Sequence, residues 1–209
     1  MKKKLKIALI VFAVFIGLLV VLACLALSAP KSFPYTVADA EADALLASEI
    51  VDMISDSVVD EDGNIPEIAE ISIPPGHVNA LLRIAAYRLN PELKDDGIEC
   101  ALGWENAAVK AAASCALPLS LAVVLRGSAS PVIENGVMHI PVSGLRAGLL
   151  PIPSSLLSRD ISGEDIKDEK LKMAFDAVHH LSASPDGGLK LGVYPAKISN
   201  LIRIIVTED

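Results

Sequence analysis

Ser130-Pro-Val-Ile-Glu-Asn-Gly136-Val-Met-His-Ile-Pro141 is the stretch that decides the fold class. Asn135-Gly136 is the pair that most readily takes the positive φ angles of a type I′ turn, so the apolar residues on either side are expected to pair as an antiparallel hairpin. Upstream, Leu119 to Leu125 reads as a strand. The Ala-rich run Ala107 to Ala113 before it suits a helix by propensity and a strand by context, and the context favours strand. Downstream, Val137 to Ala147 is expected to continue as one long strand, with Pro141 and Gly144 marking a bulge or an edge. Pro151-Ile-Pro153 closes the segment, and Ser154 to Leu157 suits a single helical turn.

Helical periodicity brackets this β region. Val37 to Val58 repeats Leu46, Ile50, Met53 and Ile54 on one face, with Thr36 and Asp39 as its N-terminal cap. Asp60-Glu61-Asp62-Gly63-Asn64 breaks it, and Ile68 to Ile73 alternates as a short strand ended by Pro74-Pro75. Pro75 then opens the clearest amphipathic helix, with Val78, Leu81, Leu82, Ala85, Ala86 and Leu89 on one face and Asn90-Pro91 as its stop. Ser162 with Asp165 predicts a further helix reaching His180. Pro185-Asp-Gly-Gly188 is a turn, Leu189 to Tyr194 a strand, and Pro195 the start of a last helix carrying Ile198, Leu201, Ile202 and Ile205. Helices intermixed with an antiparallel sheet define an α+β class.

Ahead of this domain, Ile7 to Leu27 is an uncharged apolar run, IALIVFAVFIGLLVVLACLAL, long enough as a helix to cross a hydrocarbon core of about 30 Å. Lys2, Lys3, Lys4 and Lys6 precede it and Lys31 alone closely follows, a bias that places the N-terminus in the cytoplasm and the domain outside. The length favours a retained signal-anchor in the cell membrane. Ala26-Leu27-Ser28 offers a cleavage point for a secretory signal, and Val21-Leu-Ala-Cys24 resembles a lipobox with Cys24 as the lipidated residue. All three readings leave the domain extracytoplasmic. The expected organisation is a basic tip and anchor over residues 1–29, a linker over 30–36 and one α+β domain over 37–209.

Charge narrows the partners. Four of the 18 Lys+Arg precede the apolar run and no acid precedes Asp39, which leaves 14 basic against 26 acidic residues, a net of −12, on the domain. Such a balance repels phosphate backbones, and an aromatic content of 4% supplies few rings for stacking bases, so nucleic acid is excluded as a partner class. Outside the cytoplasm Cys100 and Cys115 are candidates for a disulfide, while the small apolar surroundings of Cys115 equally suit a buried free thiol.

Signatures of chemistry are sparse. His179 and His180 fall on the expected helix, where neighbours point about 100° apart and cannot share a metal unaided. His77 and His139 lack a ligand spacing. Val142-Ser-Gly144 lies in a strand and no G-x-S-x-G occurs, so only a Ser-Lys arrangement involving Ser154 or Ser155 stays open to a hydrolase. Asp60-x-Asp62-x-Asn64 imitates half a calcium loop, but Ile65 and Ile71 stand where that loop needs Gly and Glu. No catalytic, cofactor or metal residue is assigned.

Three segments in order carry a family resemblance: the strand and helix with Asn79-Ala-Leu-Leu82, the hairpin Ser130 to Gly136, and Gly148-Leu-Leu-Pro-Ile-Pro153 followed by Ser154-Ser-Leu-Leu157. With the anchor they resemble the YpmS-like family of small membrane-anchored bacterial proteins. The resemblance departs at Ala107 to Ala116 and at Glu164 to His180, and it implies no catalytic residue. The expectation from residues and resemblance together is a non-enzymatic accessory domain of the cell envelope that binds a protein partner. The alternative is a binder of lipid or another apolar ligand enclosed by sheet and helices, and the third reading is an extracytoplasmic hydrolase.

Overall fold

The computed structural model describes residues 15–59, 64–157 and 159–198. The four N-terminal lysines, the start of the apolar run at Ile7, Asp60 and Asp62 of the expected calcium-like turn, and Leu201, Ile202 and Ile205 of the expected last helix lie outside them. Residues 15–26 are helix, here α1. Among the described residues no helix is long and apolar enough to cross a membrane. Leu27, the last residue of the expected span, instead begins a two-residue strand, β1 (Leu27–Ser28).

The domain is α+β with every strand pair antiparallel. In chain order come α2 (Val37–Ser57), β2 (Ala69–Ile73), α3 (Pro75–Lys94), β3 (Ile98–Glu105), β4 (Ala108–Leu117), β5 (Leu121–Ala129), β6 (Val132–Glu134), β7 (Val137–Ile140) and β8 (Val142–Ala147). They are followed by β9 (Leu150–Pro151), β10 (Arg159–Ser162), α4 (Glu169–Asp176), β11 (Val178–Ala183) and β12 (Leu189–Val193). One sheet runs β3-β4-β5-β8-β9 with β1 also against β5, and the other runs β10-β7-β6-β11-β12-β2.

The two sheets share one long hairpin. Asn135 (φ 53°) and Gly136 (φ 74°) make its turn, so the expected I′ geometry is present, and Glu134 faces Val137. The strand expected over Val137 to Ala147 does not stay in one sheet: it breaks at Pro141, with β7 in the second sheet and β8 in the first. Its partner breaks at Ser130-Pro131, where the Ser130 amide donates to the Pro141 carbonyl at 3.2 Å. Neither proline can donate to a ladder, so each strand changes sheets where a hydrogen bond is already missing.

The Ala-rich segment is strand β4, held on both sides by β3 and β5. Pairing on two edges decides against helix propensity there. Capping of α2 is as expected, with Thr36 and Asp39 in a reciprocal capping box. The core lies where Ile50 of α2, Val78 of α3 and Trp104 of β3 meet Ala69, Ile71, Ile73 and Val193 of the second sheet. Each buried Ile or Val there contributes about 1.5–3 kcal/mol.

Two helix ends differ from the expectation. α3 does not stop at Asn90 but runs through Pro91 to Lys94. A proline inside a helix costs about 3 kcal/mol, and tertiary bonding offsets it: the Asn90 amide donates to the Cys100 carbonyl at 2.9 Å and accepts from the Cys100 N–H at 2.7 Å. One helix from Ser162 to His180 does not form. The Ser162–Asp165 capping box is present but opens a single 3-10 turn, while Asp168 caps the short α4 through the Leu171 amide at 2.8 Å. Val178 to Ala183 pairs instead with β12 and β6, since a short apolar run takes the structure its neighbours offer.

Candidate functional site

The candidate site is built on α3 and the edge of β3. Asn79, Arg83, Ala86 and Asn90 recur at i, i+4, i+7 and i+11, a second stripe beside the apolar face. The two asparagines bond the free edge of β3 as a neighbouring strand would. Asn79 donates to the Trp104 carbonyl at 2.9 Å and accepts from its N–H at 2.5 Å, and Asn90 does the same at Cys100. The Trp104 ring nitrogen donates to the Gly187 carbonyl at 2.6 Å, tying this edge to the second sheet.

Across that edge lies the segment expected to be a linker. The Lys31 amide donates to Ser114 Oγ at 3.2 Å and the Phe33 amide to Glu99 Oε1 at 2.8 Å. The Tyr35 hydroxyl donates to Asp43 Oδ2 on α2, and its ring meets Tyr87 of α3 edge-on at 5.3 Å between centroids. Arg83 completes a fork on the same carboxylate, Nε to Oδ2 at 2.8 Å and Nη2 to Oδ1 at 2.5 Å.

Asp43 is 4% exposed, an acid on an otherwise apolar helix face. The Arg83 fork holds its carboxyl below the usual carboxylate range against the opposing effect of burial, with Tyr35 assisting. Burial, and then the Asp43 hydrogen bond, pushes the Tyr35 phenol up to about 12. At neutral pH the three groups form a neutral-donor, cation and anion latch that straps residues 30–35 onto the domain.

Between strap and domain is a groove of about 630 Å³. Phe33, Tyr35, Tyr87, Pro91 and Ile98 give it an apolar wall, and Lys31, Lys94 and Glu99 are its charged lining residues. A smaller space of about 270 Å³ shares the Phe33, Tyr35 and Tyr87 walls and reaches Cys100 and Leu102. The first volume is in the range of small-molecule sites, about 300–1,000 Å³.

The residues weighed for chemistry fall elsewhere and apart. His77 contacts Glu49 between α3 and α2 at 2.7 Å, and His139 contacts Asp160 across β7 and β10 at 2.8 Å. His179 and His180 are on strand β11, not on a helix: His179 Nδ1 meets the Tyr194 hydroxyl at 2.8 Å and His180 Nε2 meets Glu70 at 3.2 Å. No group of three His, Cys, Asp or Glu is placed to hold a metal ion among the described residues. Ser154 and Ser155 sit in a 3-10 turn, and Ser143 lies on β8 beside Ser128.

Of the two alternatives open for Cys100 and Cys115, the structure has both as free thiols. Cys100 faces Ala113 and Cys115 faces Ile98, one diagonal step apart. Such neighbours are about 7–8 Å apart, whereas a disulfide needs Cβ atoms about 3.5–4.5 Å apart. Burial, and then the charge of Glu99, pushes the Cys100 thiol up, which keeps it protonated and a poor nucleophile.

No family model, curated protein or solved structure matches this chain. The geometry therefore carries the functional reading. Asp43 was not singled out in the sequence, and Asn79 and Asn90 entered only as part of a resemblance and as a helix stop, although an acid within an apolar stripe and two asparagines on one helix face were legible signals.

Proposed function

We propose that this chain is a single-pass, membrane-tethered, extracytoplasmic domain of a bacterial envelope, non-enzymatic, whose strapped groove takes the apolar part of an amphiphile from the adjacent bilayer. The observation that carries it is the position of the groove: its lining begins at Pro30, only a few residues beyond α1. An apolar wall with two lysines against one acid, Glu99, whose Oε1 already accepts from the Phe33 amide, suits an acyl chain ending in an anionic headgroup. Neither lysine has an ion-pair partner among the described residues. Tethering supports this reading because it keeps the groove within reach of lipid. The apolar run and its lysine bias are what support the tether.

The test uses the full chain in vesicles containing phosphatidylglycerol with a diazirine on its acyl chain, followed by photolysis and peptide mapping. Adducts at Phe33, Tyr87 or Ile98, abolished by the groove-filling Ala116→Trp, are expected. Adducts confined to the apolar run would refute the amphiphile reading and return attention to a protein partner.

A further inference from the structure

A second surface surrounds the point where α1 joins the domain. The hairpin turn between β8 and β9 meets the end of α1 through the Leu149 amide, which donates to the Leu25 carbonyl at 2.9 Å, and meets β5 through the Gly148 amide, which donates to the Val124 carbonyl at 2.8 Å. Gly148 is at φ 59°, and a Cβ on it would stand 2.5 Å from the Leu25 oxygen. β1 then runs beside Ala122 and Val123 toward the β4–β5 loop. That loop holds Leu119 at φ 66° and Ser120 at φ 57°, left-handed conformations that cost energy in residues with a Cβ. Leu119 is 90% exposed and Leu149 is 74% exposed, with Leu117 and Leu121 also exposed at the base of the loop. Along β5 the two tips are roughly 15 Å apart at about 3.3 Å per residue, with β1 between them.

Charge is uneven along β4 to β9. From Asn106 to Leu157 the one acid is Glu134, at the far turn of the long hairpin in the other sheet, although the chain has 26 acids. The same stretch carries Lys110, Arg126 and Arg146, and the two arginines face each other directly across β5 and β8. Like charges in that position repel, and an anionic surface over them relieves the repulsion. Apolar tips and paired arginines converge where the apolar helix leaves the domain; the nearest acids are Asp95 and Asp96, in the turn whose Gly97 carbonyl accepts from Ala116 at 2.8 Å, and Glu105, which lines one hollow with Arg126.

We infer that this end of the first sheet lies on the bilayer, with the Leu119 and Leu149 tips inserted among acyl chains and Arg126 and Arg146 over anionic headgroups. The inference rests on the tether proposed above. Continuity with α1 selects lipid as the occupant, because whatever solvates α1 also meets the residues bonded to its end. Insertion of side chains to about 5–10 Å at the headgroup boundary is the ordinary depth for such contacts. It would also hold the mouth of the groove, through Pro30 and Ala116, against lipid.

The test uses the full chain reconstituted in phosphatidylethanolamine/phosphatidylglycerol vesicles with brominated acyl chains. Leu119→Trp and Leu149→Trp report quenching, Leu171→Trp on α4 is the exposed control, and the single native Trp104, buried in the core, gives a constant background. Severalfold stronger quenching at positions 119 and 149 than at 171, reduced when phosphatidylglycerol is omitted or in Arg126→Glu/Arg146→Glu, is expected. Flotation of the same vesicles reads the tether separately. A chain that floats while position 119 is quenched no more than 171 overturns the surface and leaves the tether standing; a chain that does not float overturns both.

Discussion

Replacing Arg83 by Met keeps the length of the side chain and removes the fork on Asp43. Two hydrogen bonds to a charged acceptor are lost, each worth about 1.5–3 kcal/mol, and a carboxylate whose side chain is 5% exposed is left without its cation. Arg83 itself is 43% exposed, so water recovers part of that loss. The net expectation is about 2–3 kcal/mol, or roughly 5–10 °C in Tm for a domain of this size. The pH dependence carries the sharper check. In the native chain Asp43 is held below its ordinary value of 3.8, so it contributes stability that is present above that value and lost as pH falls through the lowered one. In Arg83→Met the principal cause of lowering is gone, and burial, which outweighs the Tyr35 bond, raises the group instead. The variant therefore gains relative to its unfolded state on acidification, and the gap between the two proteins narrows from pH 7 toward pH 4. Thermal unfolding across that range, with hydrogen exchange at the Phe33 amide as the local reading, measures both. A gap that is constant with pH, or a Phe33 amide equally protected in both chains, would refute the latch.

The phenol of the same latch gives the opposite sign. Tyr35 is raised from 10.0 to about 12, so its contribution is complete below pH 10 and fades between pH 10 and 12, on the order of 1 kcal/mol after solvent screening; Tyr35→Phe should remove that loss in alkaline unfolding curves. Gly148→Ala puts a Cβ against the Leu25 carbonyl at a positive φ and is expected to free the end of α1 at about 2 kcal/mol, roughly thirtyfold faster exchange at the Leu149 amide. Unchanged exchange there would show that α1 is not docked. Asn79→Ala strands the Trp104 amide and carbonyl at the edge of β3, and a loss of about 2–4 kcal/mol in denaturant unfolding is expected. Gly192→Ala meets the His180 ring and should cost about 1–3 kcal/mol in denaturant unfolding while separating His180 from Glu70, visible as the loss of close contacts between the two side chains in NMR nuclear Overhauser spectra.

Local signals alone determined a good part of this molecule. Asn135-Gly136 specified its turn because few residues take positive φ, Thr36 and Asp39 specified a helix start because their side chains satisfy nearby amides, and Pro74-Pro75 ended one element and opened the next. Periodicity marked Ile50 of α2 and Val78 and Ala86 of α3 as buried, but Leu81 and Leu89 of the same expected face are exposed while Ala80 is buried, because the sheet and α2 decide which side of α3 is covered. Tertiary structure decided what depends on partners distant in sequence. Ala108 to Leu117 is strand because β3 and β5 flank it, Val178 to Ala183 is strand because β6 and β12 do, and α3 passes Pro91 because Asn90 is bonded to β3. The candidate groove belongs to this second class. Its walls come from residues 30–35, α3 and the β3–β4 pair, and the latch that closes it joins Tyr35, Asp43 and Arg83, groups that no local spacing relates and only the folded chain brings together.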